Sequence, residues 1–276
     1  MSFKAELVAC FGQPVAENPT GAMQEAAFRA AGLDWRYLTI EVPPARLAEA
    51  VLGTVAMGFR GFNLTIPHKV AVIPLLDELS QAAKIIGAVN TVRIDGGRLI
   101  GDNTDGKGFL RGVERDAGVT VRGKRAVVLG AGGAARAIST ELVLAGAAEV
   151  TIVNRSVERG QALATGDIHF EPWVDTYRVP ASADLLVNAT SIGLFPDVDS
   201  MPPVDLSGAS DQCLVCDAVF NPPETRLLKA ARAHGLRTLD GLSMLVYQGV
   251  IGFELWTGVQ PDEDVMRRAL GEALAV

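Results

Sequence analysis

The sequence predicts a two-domain α/β protein, each domain a largely parallel sheet covered by helices. Three observations lead there. Strand-like and helix-like segments alternate through the first hundred residues, and a second alternating series starts near Arg125. A hairpin separates the two series, and a glycine-rich turn joins the first strand of the second series to its helix. At 276 residues the chain can bury two cores.

In order, "ELVACFG" reads as a strand, "TGAMQEAAFRAAG" as an amphipathic helix stopped by Gly32, and "WRYLTIEV" as a second strand. "PPARLAEAVLGTVAMG" is a helix with prolines at its start, where their missing N–H costs nothing. "GFNLTIPHK" reads as a buried strand that Pro67 ends, so that Lys69 faces a cleft. Helical "LDELSQAAKIIG" follows, then the hairpin "AVNTVRIDGGRLIGDN" with Asp95-Gly96-Gly97 at its turn.

The second series runs strand "RAVVLG", helix "GAARAISTELVLAG", strand "EVTIVN", helix "SVERGQALAT", strands "ADLLVNAT" and "CLVCDAV", and helix "TRLLKAARAHG". Two apolar helices from Gly241 onward are expected to pack back on the first domain. The expected division is therefore 1–105 plus 241–276 for one domain and 106–240 for the other.

A net charge of −7 argues against a nucleic-acid surface, which needs a basic face. No apolar run approaches the roughly 18 residues of a membrane span, and the first residues lack the pattern of a cleavable signal. The expected setting is the cytoplasm, with a small-molecule substrate and a monomer or homodimer. Cys213 and Cys216 form a Cys-x-x-Cys within a strand, where residues three apart face opposite ways, so they are not expected to meet. The three histidines are scattered, and no metal site is expected.

"VVLGAGGAAR" sets Gly130, Gly132 and Ala135 in a G-x-G-x-x-A pattern between strand and helix. That pattern lets a pyrophosphate approach the backbone at a helix N-terminus. The next strand ends in Asn154 and Arg155 rather than the acid that holds an NAD ribose, with Arg159 a turn further on. Guanidinium groups there suit a 2′-phosphate, so NADP is expected over NAD. The remaining polar signals lie at strand ends and turns: Asn63, Thr65, Lys69, Asn90 and Asp105.

On these residues the sequence resembles the shikimate dehydrogenase family. The resemblance runs nearly end to end through "GQPVA", "NLTIPHK", "GAVNT", "GDNTDG", "GAGGAAR", "NRS", "NATSIG" and "DGLSMLVYQ". It implies an N-terminal α/β substrate domain and a C-terminal Rossmann-like, doubly wound NADP-binding domain. It also implies reversible reduction of 3-dehydroshikimate to shikimate, a step toward chorismate and the aromatic amino acids. Alternatives are quinate- or aminoshikimate-type dehydrogenases, some with NAD, or a member that binds metabolites without catalysis. Methylenetetrahydrofolate dehydrogenase shares the architecture, but "GDNTDG" and "NATSIG" favour the shikimate side.

By motif, Lys69 and Asp105 match the catalytic pair, and Asn63, Thr65, Asn90 and Gln248 match substrate contacts. Gly130, Ala131, Gly132, Gly133, Ala134, Asn154, Arg155, Ser156 and Arg159 match the cofactor loops, with Thr190, Ser191 and Gly193 lining the dinucleotide cleft. Gly241, Met244 and Leu245 fall where the chain passes the nicotinamide. His68 is read as a packing neighbour. The chain departs from the family where hydroxyls hold the substrate carboxylate: Asn18 and Thr20 replace two serines, and Phe220 replaces a tyrosine. Weak use of shikimate and preference for a quinate-like or otherwise modified ring are the expectations.

Overall fold

The computed structural model describes residues 4–274. The chain forms two compact units, one of residues up to Thr104 and from Val246 onward, the other Asp105–Leu245.

The first unit begins β1 (Glu6–Gly12), α1 (Thr20–Ala30), β2 (Trp35–Glu41), α2 (Leu47–Ala56) and β3 (Gly61–Leu64). It continues α3 (His68–Ala71), β4 (Glu78–Leu79), α4 (Gln81–Ile86), β5 (Thr91–Asp95) and β6 (Arg98–Asp102). Its sheet has the order β2-β1-β3-β5-β6-β4. The helical connections make β2, β1 and β3 parallel, and the tight Asp95–Arg98 turn makes β5 and β6 antiparallel. Phe11, Phe62, Leu64 and Val92 are buried in its core.

Two expectations change here. The segment "LDELSQAAKIIG" gives its first residues to β4, and its helix starts only at Gln81. Ser80 caps that helix by accepting the Ala83 N–H at 3.1 Å. The strand expected to reach Lys69 stops at Leu64. The Thr65 carbonyl takes the His68 N–H at 2.9 Å, Pro67 has no N–H to offer a ladder, and Lys69 sits on the short α3.

The second unit runs α5 (Asp105–Arg115), β7 (Arg125–Leu129), α6 (Gly133–Leu144), β8 (Glu149–Asn154), α7 (Val157–Gln161) and β9 (Ile168–Pro172). It continues β10 (Tyr177–Arg178), β11 (Leu185–Asn188), β12 (Val204–Asp205), β13 (Leu214–Asp217), α8 (Arg226–Ala233) and β14 (Arg237–Leu239). The main sheet, β14-β13-β11-β7-β8-β9, is parallel throughout. Counted from β7, that is the 3-2-1-4-5-6 order of a doubly wound Rossmann sheet.

Both faces are covered. Ala126 and Val128 of β7 enter one core while Val127 and Leu129 enter the other. Cys216 belongs to the first of these cores and Cys213 to the second, so the two thiols are separated. The helix expected over "SVERGQALAT" is only the five residues of α7. Gly160 near its end lies against Phe170 of β9, where a Cβ would come within 2.1 Å of the ring.

The chain ends with α9 (Gly241–Thr257) and α10 (Glu263–Leu274). In the first unit α10 packs on α1, and Phe253 stacks on Phe28 with ring centroids 5.1 Å apart. Trp256 Nε1 donates to the Val92 carbonyl at 3.0 Å. A Cβ on Gly61 would fall 2.3 Å from that nitrogen, so β3 needs glycine there.

The unit boundaries fall one residue before and five residues after those expected: Asp105 and residues 241–245 group with the second unit. The cause is close backbone packing. A Cβ on Gly106 would stand 2.3 Å from the Ala137 carbonyl of α6, and one on Gly241 2.3 Å from the Val219 carbonyl. No helix among the described residues is long and apolar enough to cross a membrane.

Candidate active site

In the first unit two of the polar residues named from sequence, Asn63 and Asn90, share one network. Asn63, at 7% exposure, spends both amide protons internally, on the Asn90 carbonyl at 3.0 Å and Thr91 Oγ1 at 2.9 Å. Its Oδ1 accepts from the Tyr37 hydroxyl at 2.8 Å. Asn90 Oδ1 takes the Thr104 N–H at 2.7 Å, and Asn90 Nδ2 donates to Thr104 Oγ1 at 3.0 Å. These bonds lock the ends of β3, β5 and β6 to one another, and Thr104 immediately precedes Asp105. Tyr37, Thr91 and Thr104 went unnamed in the sequence. Thr91 and Thr104 sit inside motifs already singled out, whereas nothing local marks Tyr37, 26 residues from its partner.

Lys69 is half-buried on a turn anchored at each end. Thr65 N–H bonds the Phe11 carbonyl of β1, and the Lys69 carbonyl accepts the Val89 N–H at 2.8 Å. His68 is fully buried and its Nε2 lies 2.7 Å from the Val42 carbonyl, so that nitrogen carries the proton and donates. His68 is thus the turn's anchor. Asn18 closes its own loop, Oδ1 accepting the Thr20 N–H at 3.0 Å and Nδ2 facing Cys10 Sγ at 3.8 Å. Burial pushes the Cys10 thiol up to about 11, so it stays protonated. Gln248 is buried on α9.

In the second unit Asp105 opens α5, where a carboxylate suits the positive end of the helix. The glycine turn follows β7 and faces the end of β11, the point where strand order reverses. Gly130 has φ +105°, and a Cβ on it would lie 3.0 Å from Thr190 Cγ2 and 3.1 Å from the Ala189 carbonyl. Gly132 and Gly133 have open space where a Cβ would be. Helix α6 begins with neither a side-chain cap nor an acidic residue in its first turn, which suits a pyrophosphate at its first N–H groups. Ala131 and Ala134 flank these glycines.

The loop after β8 holds its own shape. Asn154 Nδ2 donates to the Ser156 carbonyl at 2.9 Å, and Ser156 Oγ accepts the Arg159 N–H at 3.3 Å. Arg155 and Arg159 are both exposed there, so this loop fits the phosphorylated ribose of NADP. Gly241, Met244 and Leu245 form the start of α9, and Gly193, buried in the loop after the exposed Ser191, has φ +93°.

One group sequence reasoning missed is Asp217, at the end of β13. Its Oδ1 accepts from Asn188 Nδ2 at 2.9 Å and the Val219 N–H at 3.0 Å, and its Oδ2 accepts from the Thr225 hydroxyl at 2.7 Å. Asn188 in turn takes the Thr190 N–H at 3.1 Å and hydroxyl at 2.7 Å. Asp217 therefore fixes the loops carrying Thr190, Ser191 and Phe220. Burial outweighs these bonds and raises its carboxyl to about 6. An acid raised on folding gives stability that is complete below its unfolded value near 4 and lost as pH climbs through about 6. About two units correspond to up to about 3 kcal/mol. Asp217→Asn should flatten the dependence of Tm on pH across this window relative to the parent chain. Identical profiles for the two proteins would mean that folding leaves the Asp217 carboxyl at its unfolded value.

A Rossmann sheet with an open glycine turn at its switch point, in a chain whose other α/β unit bears an anchored lysine, defines a nicotinamide-dependent oxidoreductase. Sequence comparison narrows the class. Residues 10–92 match the family description "Shikimate dehydrogenase substrate binding domain", 113–193 "Shikimate / quinate 5-dehydrogenase", and 241–270 "Shikimate 5'-dehydrogenase C-terminal domain". The chain belongs to the shikimate dehydrogenase family.

Its relatives include the NADP(+) shikimate dehydrogenase of Symbiobacterium thermophilum, 45% identical over 97% of this chain and 94% of the relative. Among solved structures, a ligand-free 5-ketofructose reductase of Gluconobacter sp. strain CHM43 is 47% identical with a TM-score of 0.95, covering 98% of this chain and 99% of its own. A shikimate dehydrogenase in complex with NADP+ is 38% identical with a TM-score of 0.90, over 99% and 96%.

Proposed function

We propose that this protein is an NADP-dependent oxidoreductase that interconverts a ketone and a secondary alcohol on a small hydroxylated substrate. The first candidate is the reversible reduction of 3-dehydroshikimate to shikimate, or of a closely related hydroxylated ring acid such as quinate or aminoshikimate. The observation that carries the reading is Lys69, held on a turn pinned to β1 and to Val89 in the unit that also holds the Asn63–Asn90 network. The family relationship over the whole chain supports it.

NADPH, when bound by the Gly130–Ala134 turn and by Asn154, Arg155, Ser156 and Arg159, supplies the hydride. Lys69 gives a proton to the forming alkoxide and takes it back in the oxidative direction. Asp105 is the lysine's catalytic partner by motif in this reading, while Asn63, Thr65, Asn90 and Gln248 contact the substrate's hydroxyls. Thr190, Ser191, Gly193, Gly241, Met244 and Leu245 line the cofactor site in this reading. It includes a cytoplasmic enzyme acting as monomer or homodimer on small molecules.

The test is a spectrophotometric panel of shikimate, quinate and aminoshikimate with NADP+ and NAD+. Turnover of at least one ring acid, faster with NADP+, is expected. Faster turnover with NAD+ would overturn the cofactor assignment, and binding without turnover would leave a silent metabolite-binding member.

A further inference from the structure

We infer that the substrate site is built for an uncharged polyhydroxylated ketone and disfavours a carboxylate. The inference rests on the oxidoreductase reading above and narrows its substrate class.

An ionised carboxylate offers only acceptors, so it needs donors or positive charge around it. Among the residues assigned to the substrate in the first unit, Asn18, Thr20, Asn63, Thr65, Asn90 and Gln248 are all uncharged. The only cation assigned to substrate chemistry is Lys69, which serves the reacting oxygen. Both amide protons of Asn63 are already donated, to the Asn90 carbonyl and to Thr91 Oγ1. Its Oδ1 has accepted one hydrogen bond, from Tyr37, and keeps acceptor capacity. Such a group welcomes a hydroxyl donor and repels a carboxylate oxygen.

Asn18 adds little for an anion. Its carbonyl oxygen is held by Thr20 N–H, and its amide nitrogen is turned toward the Cys10 thiol. At the position matched by motif to the carboxylate-holding tyrosine, Phe220 has no polar side-chain atom.

The field around this loop has the same sense. A cavity of about 820 Å³ opens beside Asn18, and Glu17, Glu25 and Glu272 line it against one guanidinium, Arg29. Arg29 is itself 3.8 Å from Glu25, which also pairs with Arg36 at 3.2 Å. The wall is left net acidic, which lowers the local concentration of anions and leaves a neutral sugar-like molecule unaffected. The relative with 47% identity is named for a neutral substrate of this kind, 5-ketofructose.

The chemistry balances with no further reactant. A hydride from NADPH bonds to the carbonyl carbon, the C=O π electrons move to oxygen, and the oxygen takes its proton from Lys69 Nζ, giving alcohol and NADP+. Solvent then reprotonates the lysine.

Two measurements on the full chain test this. Calorimetry without cofactor should show 5-ketofructose binding more tightly than shikimate. NADPH oxidation should give a kcat/KM at least about tenfold higher with 5-ketofructose than with 3-dehydroshikimate, the discrimination expected when a site's polar groups suit one ligand only. Combining Asn18→Ser with Phe220→Tyr should move that ratio toward the acid by about tenfold or more. Tighter binding and faster turnover of the acid would overturn the inference and leave the oxidoreductase reading standing. Absence of turnover with either ketone would remove both.

Discussion

Lys69→Ala is expected to lower kcat by at least about a hundredfold, the lower range for a positioned acid–base group. The structure makes this a clean experiment. Two anchors of the turn do not use the Lys69 side chain: the Lys69 carbonyl receives Val89 N–H, and His68 reaches Val42. Alanine preserves both, so the variant should still fold, which its Tm checks. KM should move much less than kcat, because a proton handed over at the barrier is felt in the transition state more than in the ground state. Lys69→Arg is the sharper control: a guanidinium keeps the charge but does not release a proton. It should stay as impaired as alanine. Recovery of turnover with arginine would show that the position supplies charge alone, and near-normal turnover with alanine would remove Lys69 from the chemistry.

Arg155→Ala should weaken NADP by about ten- to a hundredfold while changing NAD far less, the loss expected for one charged hydrogen bond of roughly 1.5–3 kcal/mol. Arg155 is exposed in a loop that the Asn154 and Ser156 bonds shape without it, so its removal leaves the binding surface in place. Titration of each dinucleotide followed by fluorescence or calorimetry reads the two affinities separately. Equal losses for both would assign Arg155 to the adenine face and reopen the choice of cofactor.

Much of this was legible from sequence, for a physical reason. β7 and β8 announce themselves as continuous apolar runs buried on both faces, α6 by its helical run after the glycine turn, and the β5–β6 hairpin by the Asp95-Gly96-Gly97 turn. The Gly130 turn is legible because left-handed backbone at φ +105° selects glycine. β9 is hard to read because "IHFEP" alternates over only four residues before a proline, and it earns strand geometry by pairing with β8. β10 and β12, two residues each, exist only as partners of one another.

The site divides along the same line. Asn63, Asn90 and Lys69 stood out as polar groups at the ends of apolar runs. Tyr37 and Asp217 did not, because each acts through residues distant in sequence, and their meaning lies in which strand ends the sheets bring side by side. The reach of the strand toward Lys69 was overestimated because composition favours β structure through Ile66, whereas the turn is decided by the bond from His68 N–H to the Thr65 carbonyl.

The first unit's core is completed by residues from the far end of the chain: Phe253 covers Phe28, and Trp256 fills the place left by Gly61 and caps Val92. On the ribosome, that apolar seat is made early and stays open while residues 105–245 are synthesised. At about 5–20 residues per second the wait is on the order of ten seconds. The second unit, contiguous in sequence, is therefore the one able to finish folding first, while the opening hundred residues emerge from the exit tunnel as an unfinished surface. A chain released from the ribosome but ending before Phe253 should hold a protease-resistant second unit and an N-terminal segment that recruits chaperones, a vulnerability that follows from where two aromatic rings are encoded.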